Sequence, residues 1–364
     1  MDVGAQTLEG VRMSKIFLVC FVFISFIFTV SCKTFLKYEK ENELAKNTEF
    51  EKQVVVKTVE EKTVDSIPIV VSEKTQTTTL VPVTDIKQKI IVKKNKKIQT
   101  KNKNSETVVI TERQPDLEDN EGFDHQRRPI NDPFRVGEKV VHSVRFFAAE
   151  AGTLTLEVLP FSEVNNKKSY HFQIGLQTSR LFSSVYSVED VVDTYVDYTD
   201  LVPHVFKTSI RESGKLAQAQ GFFNQSALKS NYWEKKYTKK NGQEEIKKAW
   251  DLLPFSQNAF SSIFYMRVFN WKIGKEYSFR VSDDEKNVVF KATALAKEKI
   301  DTDVGEFQAI KIKADIISRG ALTTSHPLFL WISDDDRKLI LRIEADIKIG
   351  SLVSEIIEID KGKP

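Results

Sequence analysis

"LILRIEADIKIG", Leu339 to Gly350, places Leu339, Leu341, Ile343, Ala345, Ile347 and Ile349 at every second position and sets Arg342, Glu344, Asp346 and Lys348 between them. Successive side chains of a strand point to opposite faces, so this period of two predicts a strand with one dry and one wet side. "AIKIKADII" repeats the pattern, with Ile310, Ile312, Ala314 and Ile316 against Lys311, Lys313 and Asp315. "YHFQIGL" offers Tyr170, Phe172, Ile174 and Leu176, and "EYSFRV" offers Tyr277, Phe279 and Val281. Further strands are expected at 139–148, 153–159, 191–198, 204–211, 217–224, 230–238, 288–296 and 328–333. Turn signals separate them at Ala151-Gly152, Ser213-Gly214, Asn241-Gly242, "SDDEKN" and "SDDDRK". The expected fold is mainly β: a strongly curved antiparallel sheet or open β-barrel of about a dozen strands.

One helix interrupts the strands. In "SQNAFSSIFYMRVF", Ser256 to Phe269, the apolar residues Phe260, Ile263, Phe264 and Val268 recur at helical spacing, with Ser256 placed as an N-cap. A single amphipathic helix among so many strands is expected to plug or lid the barrel.

Upstream of residue 131 the composition changes. Residues 33–120 hold no Gly or Trp, and their aromatics stop after Phe50. Such a segment lacks the large apolar side chains that offset ordering entropy, so 32–130 is expected to be a disordered Lys/Glu/Thr-rich linker, leaving 131–364 as the β-rich domain. Its short Val/Ile runs are interrupted by Pro68 and Pro82, leaving a transient or partner-induced strand as the alternative. A flexible chain of this length spans about 50 Å root-mean-square. The basic block from Lys93 to Lys103 either attracts anionic cell wall or lipid head groups or acts as a solvated spacer.

The first residues address the chain. Ile16 to Ser31 is an uncharged apolar run preceded by Arg12 and Lys15, too short for a spanning helix and suited to an export signal over 1–31, with Met13 the better start. Val30 and Ser31 before Cys32 resemble a bacterial lipobox, with Thr29 where Leu is usual. That resemblance implies cleavage between Ser31 and Cys32 and acylation of Cys32. Several acyl chains make such an anchor close to permanent. Cys20, the other of the two cysteines, lies in the signal, so the mature chain has no internal disulfide. A net charge of +3 argues for no nucleic-acid partner.

Candidate chemistry in the domain is sparse. "SDDDR", Ser333 to Arg337, stacks carboxylates but lacks calcium-loop spacing, and reads better as a hairpin turn. Glu189, Asp190, Asp193, Asp197 and Asp200 offer paired carboxylates for glycoside hydrolysis, or simply the wet side of a strand. His142, His171, His204 and His326 show no zinc spacing, so no metal or cofactor is expected, and His142 reads as a core residue. Arg267 stands alone among Phe264, Tyr265, Met266, Val268 and Phe269. It either pairs with Glu276 or Glu138 or contacts an anion inside the barrel. Arg267, Tyr265 and Trp331 are the candidate ligand contacts, and no catalytic residue is assigned.

"PFRVGEKVVHSVRFFAAEAGTLTLEV", "SSIFYMRVFNWKIGKEYSFRV", "TDVGEFQAIKIK" and "LWISDDDRKLILRIEADIKIGSLVSEI" follow one another in the order of a known pattern. It comprises Gly137-Glu138, Ala151-Gly152, Ser262, Tyr265 and Arg267, Gly274, Gly305, the Trp331, Ser333 and Asp335 turn, and Gly350. With these the chain resembles the bacterial exported family known as domain of unknown function 3108, over about residues 134–360. The resemblance implies an exported β-rich domain and no activity. The sequence thus favours an envelope lipoprotein, on the periplasmic face of the outer membrane or on the inner membrane, with a non-enzymatic domain binding an apolar, glycan or protein ligand. An enzyme acting on envelope polysaccharide and a structural membrane-to-wall tether are the alternatives.

Overall fold

The alternating stretches become the ladders of one antiparallel sheet in the computed structural model, which describes residues 47–59, 113–124, 127–147, 149–318, 321–322, 328–347 and 350–363. Strands β2 (Glu138–Phe146), β3 (Ala149–Val164), β4 (Lys167–Thr178), β5 (Glu189–Asp197), β6 (Pro203–Glu212), β7 (Lys215–Asn224), β8 (Lys229–Thr238) and β9 (Gly242–Asp251) form a meander, preceded by a short β1 (Val56–Thr58). A second series follows with β10 (Glu276–Asp283), β11 (Lys286–Thr302), β12 (Gly305–Ser318), β13 (Ala321–Leu322), β14 (Leu328–Ser333), β15 (Ile340–Ile347) and β16 (Gly350–Lys361). The two series join where β16 pairs with β2, so β9 and β10, neighbours in sequence, are the two outer edges of the sheet.

The sheet curls until those edges approach, yet it stays open: among the described residues no ladder joins β9 to β10. Side chains cross the seam instead. Trp250 Nε1 donates to Ser282 Oγ at 2.8 Å, Lys248 pairs with Asp284 at 2.5 Å, and Asn287 Nδ2 donates to the Asp251 carbonyl at 2.9 Å. Gln257 also pairs with β10, its N–H bonding to the Arg280 carbonyl and its carbonyl accepting from Ser282, both at 2.8 Å.

That pairing moves the start of the helix. Gln257 has its backbone committed to the seam, so α3 (Ala259–Tyr265) begins after Asn258, whose side chain caps the Ser261 N–H at 2.7 Å. A 3-10 turn, Met266–Val268, completes it, and two shorter helices are α1 (Thr48–Gln53) and α2 (Arg180–Ser183). The helix α3 fills the inside of the barrel. Phe264 stacks on Phe172 at 4.2 Å, Phe260 meets Phe206 at 5.4 Å, and Tyr265 meets Phe279 edge-on at 5.2 Å. Offset and edge-to-face aromatic pairs add about 0.5–1.5 kcal/mol each beyond their burial. Among the described residues no helix is long and apolar enough to cross a membrane.

Four expectations change. Ala151-Gly152 is inside β3, and the reversal falls at Phe147, with φ +54°. Gly152 answers a different demand: a Cβ there would lie 2.1 Å from the Gln177 carbonyl oxygen of β4. The single dry face of "LILRIEADIKIG" is split, because Leu341 is an extra residue between the pairs Trp331↔Arg342 and Ile332↔Ile340. A bulge of this kind reverses side-chain parity. Leu339 and Leu341 join a second apolar cluster with Trp331, Ile300 and Ile356, while Ile340 and Ile343 face the main core.

The strand count exceeds a dozen because β9 and β16 gave little signal. The sequence of β9, "GQEEIKKAWD", is charged throughout and leaves no residue fully buried, as suits a sheet edge. Finally, two stretches within the segment expected to be a disordered linker are ordered on the barrel. α1 and β1 pack outside β3, and residues 113–124 and 127–134 line α3. The signal region, Ser31, Cys32 and the Lys93–Lys103 block lie outside the described residues.

Candidate functional site

Two buried charge clusters sit on consecutive turns at the end of α3. Arg267, in the 3-10 turn, is 3% exposed, and every guanidinium nitrogen is engaged. Its Nη1 and Nη2 donate to Glu138 Oε1 and Oε2 at 2.6 and 3.0 Å, Nη2 also reaches the Pro133 carbonyl at 3.1 Å, and Nε reaches the Arg337 carbonyl at 3.2 Å. Arg337 donates to the same Glu138 carboxylate and to the carbonyls of Pro133 and Lys361. One carboxylate thus serves two guanidiniums, and carbonyl oxygens take up the remaining donors. Lys338 alongside is held below the usual lysine range, by burial first and with the Arg267 charge adding to it.

The local chain is built for this meeting. Asp335 Oδ1 accepts from Ser333 Oγ at 2.7 Å and from the N–H groups of Arg337 and Lys338 at 3.0 Å, while Ser333 Oγ accepts from Leu339 N–H at 2.8 Å. These bonds fix the loop that presents Arg337. Gly362, at φ +68°, passes so close that a Cβ would lie 2.6 Å from the Glu138 nitrogen.

The second cluster surrounds Tyr265. Its hydroxyl donates to Glu118 Oε1 at 2.8 Å and accepts from Arg127 Nη2 at 3.3 Å. Burial, reinforced by the Glu118 charge, pushes its pKa up to about 12. Glu118 also faces Arg113 at 3.4 Å and Arg127 at 3.9 Å. Arg113 makes no hydrogen bond through Nε, Nη1 or Nη2, although its side chain is 1% exposed. Aromatic faces stand in: its guanidinium lies 3.4 Å from the Phe123 ring centroid and 5.4 Å from that of Phe269, and Arg127 lies 4.3 Å from Phe255.

Trp331 belongs elsewhere. It projects from β14 into the second apolar cluster, donates through Nε1 to Glu298, and lies beneath Lys311 and Arg342 at 4.6 and 5.5 Å. The structure therefore brings Arg267 and Tyr265 to one end of α3 and leaves Trp331 apart.

The carboxylates disperse. Asp334 pairs with Lys297 at 2.6 Å and Asp336 accepts from Asn131 at 3.0 Å, so the three aspartates of "SDDDR" point to three different partners. On β5, Asp193 binds His171 at 2.7 Å and Gln173 at 2.9 Å. Burial opposes ionisation there, but these bonds outweigh it and hold Asp193 below the usual carboxylate range. Asp197 binds His204 at 3.0 Å in the same manner, with the same direction. Asp190 behaves oppositely: burial first, then the Glu212 charge, raises it to about 7, and its carboxylate accepts from Arg211 N–H at 2.9 Å. His142, buried in β2, is held neutral by burial, with its pKa lowered to about 4. Among the described residues, no three His, Cys, Asp or Glu side chains gather as a metal site.

Arg113, Glu118 and Arg127 were not legible as site residues, since "ERQPDLEDNEGFDHQRRPINDP" has no periodicity. Phe123 amid so many polar residues was the available signal. Arg267, Trp331, Ser333, Asp335 and Arg337 all fall within residues 141–357, the span matched by the family model described as "Protein of unknown function (DUF3108)". The chain belongs to the DUF3108 family. Among curated proteins, no relative is found. Three solved structures are similar. A β-barrel-like protein of domain of unknown function DUF1849 from Brucella abortus aligns at 8% identity over 62% of this chain and 98% of its own, with TM-score 0.41. A protein with a YmcC-like fold from Bacteroides fragilis, described as exported, aligns at 8% identity over 63% and 97%, with TM-score 0.28. One from Parabacteroides distasonis, described as a lipoprotein, aligns at 10% identity over 62% and 95%, with TM-score 0.26. In this DUF3108 protein the Glu138, Arg267 and Arg337 cluster locks the loop between β14 and β15, the start of β2 and the end of α3 together.

Proposed function

We propose that this DUF3108 protein is an envelope lipoprotein, acylated at Cys32, whose barrel recognises a protein or glycan on its outer surface rather than carrying a ligand within. The observation that supports the surface reading is the filled interior, where the Phe260 and Phe264 rings of α3 occupy the space an apolar ligand would need. The lipobox-like Val30-Ser31-Cys32 after an apolar run supports the anchoring. In this reading the lipid holds the protein in the membrane, on the periplasmic face of the outer membrane, because Lys33 replaces the Asp that retains lipoproteins inside. Lys93 to Lys103 then meets anionic wall or lipid head groups. Intact mass of membrane-extracted protein tests the anchoring. Acyl mass on Cys32, lost with membrane association in Cys32→Ser, supports it, and a Cys32→Ser chain that stays in the membrane overturns it.

A second reading, hydrolysis of envelope polysaccharide, is favoured by Asp190, which keeps its proton up to about pH 7 near the Glu212 carboxylate, as a general acid requires. Release of reducing sugar from envelope glycans, abolished by Asp190→Asn, would carry that reading.

A further inference from the structure

Residues 47–59 lie on the barrel as a folded peptide. β3 runs on past the start of β2, and where β4 still pairs with Ser162 to Val164 on one side, β1 takes the vacant side through Val56↔Val164, Lys57↔Glu163 and Thr58↔Ser162. The Val59 N–H donates to the Phe161 carbonyl at 3.1 Å, and Asn165 closes the start of the ladder by accepting from Val55 N–H at 2.8 Å and donating to the Gln53 carbonyl at 3.0 Å. Ahead of β1, α1 presses Phe50 and Val54, 3% and 5% exposed, onto Val164, Tyr195, Val205 and Trp233. Phe50 meets the Trp233 ring edge-on at 5.9 Å, and Glu49 accepts from Trp233 Nε1 at 3.0 Å and from Lys247 at 2.5 Å.

Strand addition to a free edge, with anchoring side chains in an apolar recess, is how sheets bind separate peptides. Main-chain bonds supply attachment and the recess supplies selectivity.

We infer that residues 47–59 form a clasp binding the membrane-proximal end of the chain directly to the outer face of the barrel, so that the load path from anchor to domain bypasses residues 60–112. The inference rests on the lipid attachment at Cys32 proposed above. Without the clasp, about 80 residues, 33–112, separate Cys32 from the first segment held on the barrel and allow a reach of roughly 280 Å at full extension. With it, only residues 33–46 intervene, which reach at most about 50 Å. The barrel is then held close to the bilayer, and residues 60–112, joined to it at both ends, are a side branch of the attachment.

The test uses the full chain in membranes, with a site-specific protease sequence inserted between residues 60 and 112. Once denaturing electrophoresis shows the cut to be complete, the barrel is expected to stay in the membrane fraction. In the Phe50→Asp, Val54→Asp double variant the same cut should release most of it. Both substitutions lie outside the barrel, and an unchanged far-ultraviolet β-sheet spectrum confirms that it still folds. Release of the parent barrel as complete as that of the variant overturns the clasp. A chain already soluble before cutting sinks the lipid anchor instead. The clasp is then judged by gel filtration of the cut protein, where co-elution of the N-terminal fragment with the barrel supports it and separation overturns it.

Discussion

The two clusters at the end of α3 have the same charge inventory and opposite construction. Each sets two arginines around one glutamate, Arg267 and Arg337 around Glu138, and Arg113 and Arg127 around Glu118. Around Glu138 the surplus donors end on backbone carbonyls, so each bond ties a separate stretch of chain to the others. Around Glu118 the surplus charge of Arg113 rests on the rings of Phe123 and Phe269. Ring faces attract a cation without fixing its direction, and a contact at a desolvated site contributes about 2 kcal/mol or more. The hydrogen-bonded cluster therefore specifies geometry, whereas the aromatic one tolerates a surplus charge.

The largest effect should come from stripping the first cluster. Glu138→Gln leaves Arg267 buried beside Arg337 with no counter-charge and should cost about 3–5 kcal/mol in urea unfolding. Arg267→Met should fall in the same range by leaving Glu138 with the partly exposed Arg337 alone; a loss below about 1 kcal/mol would break the contrast.

A buried carboxylate facing a like charge, that of Glu212, provides a third case. The pKa of Asp190 is raised from 3.8 to about 7, so the folded chain keeps a proton that the unfolded chain releases across that interval. Stability from this group falls as pH rises from about 4 to 7, and the full penalty persists above it. Asp190→Asn, whose amide oxygen still accepts from Arg211 N–H, should add about 1–3 kcal/mol at pH 8 and flatten that slope. Equal stabilisation at pH 4 and pH 8 would show that the charge is not the cause.

The smallest effect is expected at Arg113→Met. It removes a buried cation that makes no hydrogen bond and keeps an apolar stem between the two rings, so unfolding should shift by less than about 1 kcal/mol in either direction. A loss matching that of Arg267→Met would erase the distinction between the clusters.

Much of the fold was legible because its signal is local. β14 falls at Leu328–Ser333 as the alternation predicts, and Ile310, Ile312 and Ala314 face the core while Lys311 and Lys313 do not. The helix is legible in position but not in its start, since nothing near Ser256 reveals that Gln257 pairs with Val281, more than twenty residues later. The sequence offers Arg267 both Glu276 and Glu138 as partners, and the β16 to β2 junction brings Glu138 there. Arg113, Glu118 and Phe50 were hidden, because each lies in a polar stretch whose composition alone argues against order.

By itself the sequence determined the β class, the place of the inward helix and most of the turns between strands, all of which follow from patterns within a few residues. Tertiary structure decided that Glu138 meets Arg267 and Arg337, where Leu341 breaks the dry face, and that residues 47–59 belong to the barrel. Those outcomes depend on groups more than a hundred residues apart or on a register shift between neighbouring strands, and no local periodicity encodes either.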